Sequence, residues 1–389
     1  MTVSTTSSGK SPASSGLDGV VVANTEMSDV DGQLGHLTVR GYDIEELAGR
    51  ATFEEVAYLL WHGALPNASQ LAAFQDALRG YRQLPEETTA AVELAAKRME
   101  PMDALRFAVA SLTADETASE DDSREANLRR SAMLLARVPI IIANYQRLRN
   151  GQQPLPPRDE FGIAANYLYG LNGEEPSASR VQGLDTYLVT VADHGMNAST
   201  FTARVIGSTA SDFVSAVTGA IGALKGPLHG GAPGPALTMI EEIGTPDRAE
   251  AWMKDAMAHG KRIMGFGHRV YKVRDPRAEV LYQAAGVMAD DSGHRDALDL
   301  AKAVEDAGVK VLAEAKPGRN LNTNVEFYTA LLLREIGLSA DLFSPTFAVG
   351  RTAGWLAHLL EHREGGRIIR PQSEYVGPRD LHYTAIDER

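Results

Sequence analysis

Three short stretches of the sequence each set one titratable side chain beside glycine or small polar neighbours. They are Leu228-His229-Gly230-Gly231, Gly265-Phe266-Gly267-His268-Arg269-Val270-Tyr271 and Asn324-Val325-Glu326-Phe327-Tyr328. Two imidazoles and a carboxylate suit the removal of a proton beside a carbonyl and the stabilisation of the oxyanion that results. Arginines follow: Arg277 after the second stretch, Arg351 and Arg370 after the third. Bidentate guanidinium is the natural partner of carboxylate, so two or three of these make a clamp for a dicarboxylate. The combination points to carbon–carbon bond formation from an enolised thioester.

Each motif also has a plainer reading. The glycines around His229 suit close backbone approach to a ligand, but the stretch lacks the spacing of a phosphate loop and could be an ordinary turn. Lys261 to Arg277 carries six Lys or Arg against one acid, Asp275, in a chain of net charge −13. That is an anion-site signal, and equally the mark of a solvated helix face. Asp275-Pro276-Arg277 fixes its arginine on a rigid turn. Arg351 lies among small residues on a mainly apolar helix, where a charge needs a protein or ligand partner. Arg370 has apolar neighbours on a segment expected to be extended.

The elements that must position these residues are mostly helical. Thr52-Phe53-Glu54-Glu55 reads as a capping box, followed by an apolar stripe at Phe53, Val56, Ala57 and Leu60 and a stop at Gly63. Leu71, Phe74, Leu78 and Tyr81 repeat the period, and a later helix runs from about Pro345 toward His362. Strand signals are few: Val20 to Ala23 with Leu37 to Arg40 predict a small hairpin-like element, and Arg367 to Val376 an extended segment. The acidic run Asp115 to Glu125 reads as a solvated loop or helix start. Gln152 to Arg158 reads as a connector, and Gly226 to Pro235 as a lobe boundary. The fold class expected is all-α.

With 389 residues the chain can bury a large core and form two domains. The charge of −13 argues against a nucleic-acid or anionic-membrane surface, and no stretch approaches a membrane span. The absence of cysteine excludes disulfides, thiolate catalysis and thiolate metal sites. Met1 to Gly16 reads as a disordered tail without the apolar core of a signal peptide, so a cytoplasmic location is expected.

Together with these motifs, the ordered series Gly16-Leu17-Asp18-Gly19-Val20-Val21, Arg40-Gly41-Tyr42-Asp43-Ile44, Phe53 to Gly63, Met102-Asp103-Ala104-Leu105-Arg106 and Asp193-His194-Gly195-Met196-Asn197 resembles the citrate synthase family over nearly the whole chain. The resemblance implies an all-α fold with a large domain (17–226 and 327–389) and a small domain (227–326) closing over a cleft. It implies that His229 hydrogen-bonds the thioester carbonyl, that His268 polarises the ketone of oxaloacetate, and that the residue at Glu326 removes the methyl proton of acetyl-CoA. His194, Arg277 and Arg351 would hold oxaloacetate, with Arg370 supplied by the other subunit of a homodimer. Lys272, and less directly Lys316 and Arg319, would meet the coenzyme A phosphates. No metal or cofactor beyond the thioester substrate is implied. The chain lacks the extra N-terminal region of the larger, NADH-inhibited hexameric members, so the short dimeric type is expected.

One departure stands out: Glu326 replaces the family's usual aspartate in Asn-Val-Asp-Phe-Tyr. The added methylene moves the carboxylate by about one C–C bond, ~1.5 Å, and the expectation is a compensated, active enzyme. Three other readings follow. A 2-methylcitrate synthase using propionyl-CoA differs by one methyl group, worth only ~1–3 kcal/mol. A weakly active or non-catalytic paralogue would keep the arginines as a sensor. His358-Leu359-Leu360-Glu361-His362 fits an inverted zinc-protease pattern, although a helix-packing histidine pair has the same spacing.

Overall fold

The computed structural model describes residues 15–17, 19–114, 121–230, 233–268, 270–293 and 295–389. Most of the expected N-terminal tail (1–14), half of the acidic run (115–120), Gly231 and Arg269 lie outside the described residues.

The chain is all-α apart from one small sheet. Strands β1 (Ser28–Asp31), β2 (His36–Val39) and β3 (Tyr42–Asp43) pair antiparallel in that order. Helices α1 (Ile44–Leu47), α2 (Phe53–His62), α3 (Ala68–Arg79), α4 (Glu86–Ala96), α5 (Pro101–Ser111) and α6 (Arg124–Arg149) follow. Next come α7 (Ile163–Asn172), α8 (Ala178–Val191), α9 (Ala198–Gly207), α10 (Phe213–Leu224) and α11 (Pro233–Ile243). The series ends with α12 (Ala249–Ala258), α13 (Pro276–Ser292), α14 (Arg295–Ala315), α15 (Val325–Ile336) and α16 (Phe343–Arg363).

Local chemistry explains most boundaries. Thr52 Oγ1 accepts from Glu55 N while Glu55 Oε2 accepts from Thr52 N, the reciprocal cap that the sequence predicts, and Gly63 ends α2 in the left-handed region at φ 83°. Ser123 caps α6, so the end of the acidic run is a helix start. Helix α3 stops two residues before Tyr81, whose carbonyl instead accepts from Arg137 Nε at 3.1 Å.

The predicted hairpin pairs differently. The partner of His36–Val39 is Ser28–Asp31, and Val20 to Ala23 joins no ladder. The polar sequence Ser28-Asp29-Val30-Asp31 has no apolar alternation to mark it. The turn makes the hairpin: Asp31 Oδ1 accepts from Gln33 N and Leu34 N, and Gly35 takes φ 74° as its N–H closes on Asp31 O. Arg367 to Val376 has no regular element.

Helix α16 runs through the core against α2, α6, α8, α9 and α10, and is buried nearly all round, as a helix apolar on every face must be. Gly350 and Gly354 bring α8 against it. A Cβ at Gly350 would lie 2.6 Å from Val191 Cγ2 and 3.0 Å from Leu188 O, and one at Gly354 would lie 2.2 Å from Ala192 O. Gly354→Ala gains up to ~1 kcal/mol of helix propensity. The clash is with backbone, which cannot rotate away, and overpacking of this kind costs about 1–3 kcal/mol. The expected result is a net loss of stability, read as a lower urea midpoint at unchanged slope.

Candidate active site

The close approach of α8 and α16 aims Arg351. Its side chain is 1% exposed, its Nε donates to Val191 O at 2.6 Å, and its guanidinium lies 4.7 Å over the Phe347 ring. Burial lowers its pKa to about 10 against the pull of Asp193, and the nearby guanidinium of Arg277 adds to the depression. A cation held at that cost is one that a bound anion would relieve.

Arg277 sits at the start of α13, where Asp275 is the N-cap and Pro276 the first helical residue. Asp275 accepts from Arg277 three times: from its backbone N and Nε at 3.0 Å each on Oδ1, and from Nη2 at 2.7 Å on Oδ2. Both residues are buried, so the rigid turn expected from Asp-Pro-Arg is a helix cap that also holds its arginine.

Hydrogen bonds hold all three histidines, and for His229 and His268 their direction is fixed by backbone donors. His229 follows α10 on a turn closed by His229 N to Gly226 O and Gly230 N to Leu224 O. Its Nε2 accepts from Ser199 N at 3.3 Å and lies 2.8 Å from Ser199 Oγ. Ser199 is in the first turn of α9, behind the Asn197 cap, and Trp355 Nε1 donates to its hydroxyl at 3.1 Å. A backbone N–H can only donate, so Nε2 is an acceptor and the imidazole proton is on Nδ1. Burial first and Arg351 second lower the His229 pKa to about 4.

His268 is the mirror case. Its Nδ1 accepts from Val270 N and Tyr271 N at 3.1 Å each, which leaves the proton on Nε2. Burial, then Arg277 and Lys272 against the opposing Asp275, bring its pKa to about 4. His194 lies in the turn after α8 with its Nε2 at 3.1 Å from Tyr271 Oη, and its ring meets that of His268 edge-on at 5.6 Å. Burial and the charges of Arg277 and Arg351 push its pKa well below the usual histidine range.

Glu326 is in the first turn of α15. That helix start is laced to the His268 loop: Asn324 N donates to Gly265 O at 3.0 Å, Asn324 Nδ2 to Gly267 O at 2.9 Å, and Phe266 bridges Thr323. Gly265 and Gly267 take φ 79° and 83°, and a Cβ on Gly265 would meet the Phe327 ring at 2.7 Å, so glycine is required there twice over. Glu326 as a whole is half-buried, but its Oε2 is shut off from solvent and accepts no hydrogen bond among the described residues. Burial raises its pKa, only partly offset by its own N–H and by Arg277.

His194, His229, His268, Arg277, Arg351 and Glu326 thus belong to one region linked by direct contacts and electrostatic influence. Of the other predicted residues, Lys272 acts on His268 through its charge, and the rest are exposed without a contact to this region among the described residues. Arg370 is exposed on the extended C-terminal segment, Lys316 and Arg319 are exposed after α14, and the exposed Lys272 is anchored through its backbone N to Gly32 O. Asp275 holds Arg277 on the turn that Asp-Pro-Arg suggested, whereas Ser199 and Tyr271 hold imidazoles and no sequence signal gave them that task. Ser199 alone was within reach, since Asn197-Ala198-Ser199-Thr200 reads as a helix start.

One histidine of the zinc-like pair has another use. His358 Nδ1 accepts from Arg204 Nη1 at 2.9 Å and Nε2 faces Asp193 Oδ1 at 3.2 Å, while Glu361 Oε2 accepts from Arg204 at 2.6 Å. A metal at Nδ1 would have to displace a guanidinium.

Such a site defines an all-α protein built to enolise one carbonyl compound and to hold a second, anionic one. The family described as citrate synthase, C-terminal domain, matches residues 16–372. The chain is 44% identical to the citrate synthase of Haloferax volcanii, covering 96% of this chain and 98% of that one. It is 37% identical to the 2-methylcitrate synthase of Mycobacterium tuberculosis, covering 93% and 90%. The ternary complex of carboxymethyl coenzyme A and oxaloacetate with citrate synthase from Thermoplasma acidophilum superposes with a TM-score of 0.87 at 30% identity, over 95% of this chain and 98% of that one. The chain belongs to the citrate synthase family.

Proposed function

We propose that the protein condenses acetyl-CoA with oxaloacetate and water to give citrate and coenzyme A. The observation that carries this reading is the pair of neutral imidazoles with fixed tautomers. His229 and His268 each accept from a backbone N–H on one nitrogen, which leaves an N–H on the other, and burial with nearby arginine charge keeps both rings neutral. Those two N–H groups serve two carbonyl oxygens, one per substrate. Oxaloacetate docks on His194, Arg277 and Arg351, with Arg370 reaching in from a second copy in a cytoplasmic homodimer. Lys272, Lys316 and Arg319 meet the coenzyme A phosphates, and residues 227–326 close as a small domain to exclude water.

Glu326 takes a methyl proton from acetyl-CoA while His229 Nδ1–H donates to the thioester oxygen. The enol carbon attacks the ketone of oxaloacetate, and His268 Nε2–H supplies the proton that makes it a hydroxyl. Water then splits the citryl thioester, releasing citrate and coenzyme A. These steps balance without a metal or other cofactor.

The test is thiol release from acetyl-CoA and propionyl-CoA with and without oxaloacetate, clean here because the chain contains no cysteine. Oxaloacetate-dependent release from acetyl-CoA supports the reading, and faster release from propionyl-CoA would make 2-methylcitrate the product. A folded protein that binds oxaloacetate and releases nothing would be a sensor.

The pH profile separates the base from the histidines. A protonated Glu326 accepts nothing, and its pKa lies above the ordinary 4.5, whereas His229 and His268 stay neutral down to about pH 4. As pH falls, kcat/KM should therefore drop first through Glu326, at a midpoint above 4.5 that is absent from the residual activity of Glu326→Gln. A limb that survives in that variant would assign the titration to another group.

A further inference from the structure

The β1–β2 hairpin touches both oxaloacetate-facing histidine loops. At its start, Ser28 Oγ donates to Asp193 Oδ2 at 2.5 Å and accepts from Gly195 N at 2.8 Å, so one hydroxyl holds the residues on either side of His194. At its turn, Gly32 O accepts from Lys272 N at 2.7 Å. The two preceding N–H groups, of Val270 and Tyr271, are those that fix His268 Nδ1. Three consecutive peptides thus divide between a catalytic ring and the hairpin turn.

Gly32 is not required by its own backbone, because its φ is not positive. It is required by its neighbour: a Cβ there would lie 2.3 Å from Val270 O, 2.7 Å from Val270 C and 2.9 Å from Val270 Cγ1. At the end of the same turn, a Cβ on Gly35 would meet Val273 Cγ2 at 2.6 Å. A turn that needed only to reverse the chain would tolerate a side chain at Gly32. This one is pressed onto the peptide run that orients His268, and Tyr271 in that run passes the constraint to His194 through the 3.1 Å hydroxyl contact.

We propose that the hairpin is a positioning clamp for the oxaloacetate half of the site, in which Gly32 sets the His268 loop and Ser28 the His194 turn. The inference rests on the condensation reading for its link to oxaloacetate, but the geometry it asserts is measurable without turnover.

The test compares Gly32→Ala and Ser28→Ala with Gln33→Ala, a substitution at the exposed tip of the same turn. Imidazole nitrogen NMR follows the tautomer and titration of His268. In Gly32→Ala the Val270 and Tyr271 N–H bonds that hold Nδ1 as an acceptor are loosened, so the Nδ1 and Nε2 resonances of His268 shift toward a tautomer mixture, while burial and the charges of Arg277, Lys272 and Asp275 still act on the ring. In the same variant KM for oxaloacetate rises and kcat falls by up to about 10², with KM for acetyl-CoA unchanged. Ser28→Ala shifts the His194 resonances and the oxaloacetate KM, and decides the matter if Gly32→Ala does not fold. Gln33→Ala matches the parent in every readout.

A folded Gly32→Ala with parental His268 nitrogen resonances, or Ser28→Ala with parental His194 resonances, overturns the clamp. If the parent protein itself releases no thiol, the condensation reading fails and the NMR arm still judges the hairpin.

Discussion

Glu326→Gln lowers oxaloacetate-dependent release of coenzyme A by on the order of 10²–10⁴-fold, the usual contribution of a general base, and leaves oxaloacetate affinity near that of the parent. The amide keeps the shape of the side chain and removes its basicity. A Glu326 oxygen without a hydrogen-bond partner is available to take a proton, and burial raises the proton affinity of the carboxylate. Steady-state thiol release beside calorimetric oxaloacetate binding separates the two quantities, and unchanged turnover would remove Glu326 from the mechanism.

Glu326→Asp makes a sharper demand. Restoring the family's usual residue withdraws the carboxylate by ~1.5 Å. The start of α15 cannot slide forward to compensate, because Asn324 is bonded to Gly265 and Gly267, and Phe327 is wedged against Gly265. A misplacement of that size costs about 10²-fold. The aspartate variant is therefore expected to be slower than the parent, and a faster one would mean that the site is built for the shorter side chain.

What the sequence revealed follows physical range. The Thr52 capping box, the Gly63 stop and the apolar length of α16 are interactions between residues a few positions apart, and they fold as written. The hairpin was half-found: His36–Val39 alternates, while Ser28–Asp31 is polar because Ser28 and Asp31 serve a loop and a turn rather than a core. For the site, His229, His268, Glu326, Arg277 and Arg351 stood out by type and setting, and His194 by resemblance alone. The groups that hold them in place were not legible. Ser199 acts on His229 across 30 positions, Tyr271 on His194 across 77, and Arg351 on Val191 O across 160. Contacts of that span leave no local period or spacing. The pairing of His358 with Arg204 and Asp193 is the same lesson in reverse, since an i, i+4 histidine pattern that reads as a metal site is answered by residues on other elements.

Arg351→Met should separate stability from function with opposite signs. Truncating a well-packed core side chain ordinarily costs ~2–5 kcal/mol, yet this arginine is a fully buried charge whose one hydrogen bond among the described residues goes to Val191 O. Its nearest carboxylate influence, Asp193, is already engaged by Ser28 and His358, and Arg277 repels it. Methionine keeps much of the volume and removes both the desolvation cost and the repulsion. Replacement of buried charge by apolar side chains of similar size is commonly neutral or stabilising, so the melting temperature should hold or rise. Oxaloacetate binding should weaken by about 1.5–3 kcal/mol, the worth of hydrogen bonds to a charged group, which is roughly 10- to 150-fold in affinity. Scanning calorimetry without ligand and oxaloacetate titration of the same preparation test both halves. A lower melting temperature with intact affinity would make Arg351 a structural residue, and the charge buried between α8 and α16 would then be explained by packing rather than by a dicarboxylate.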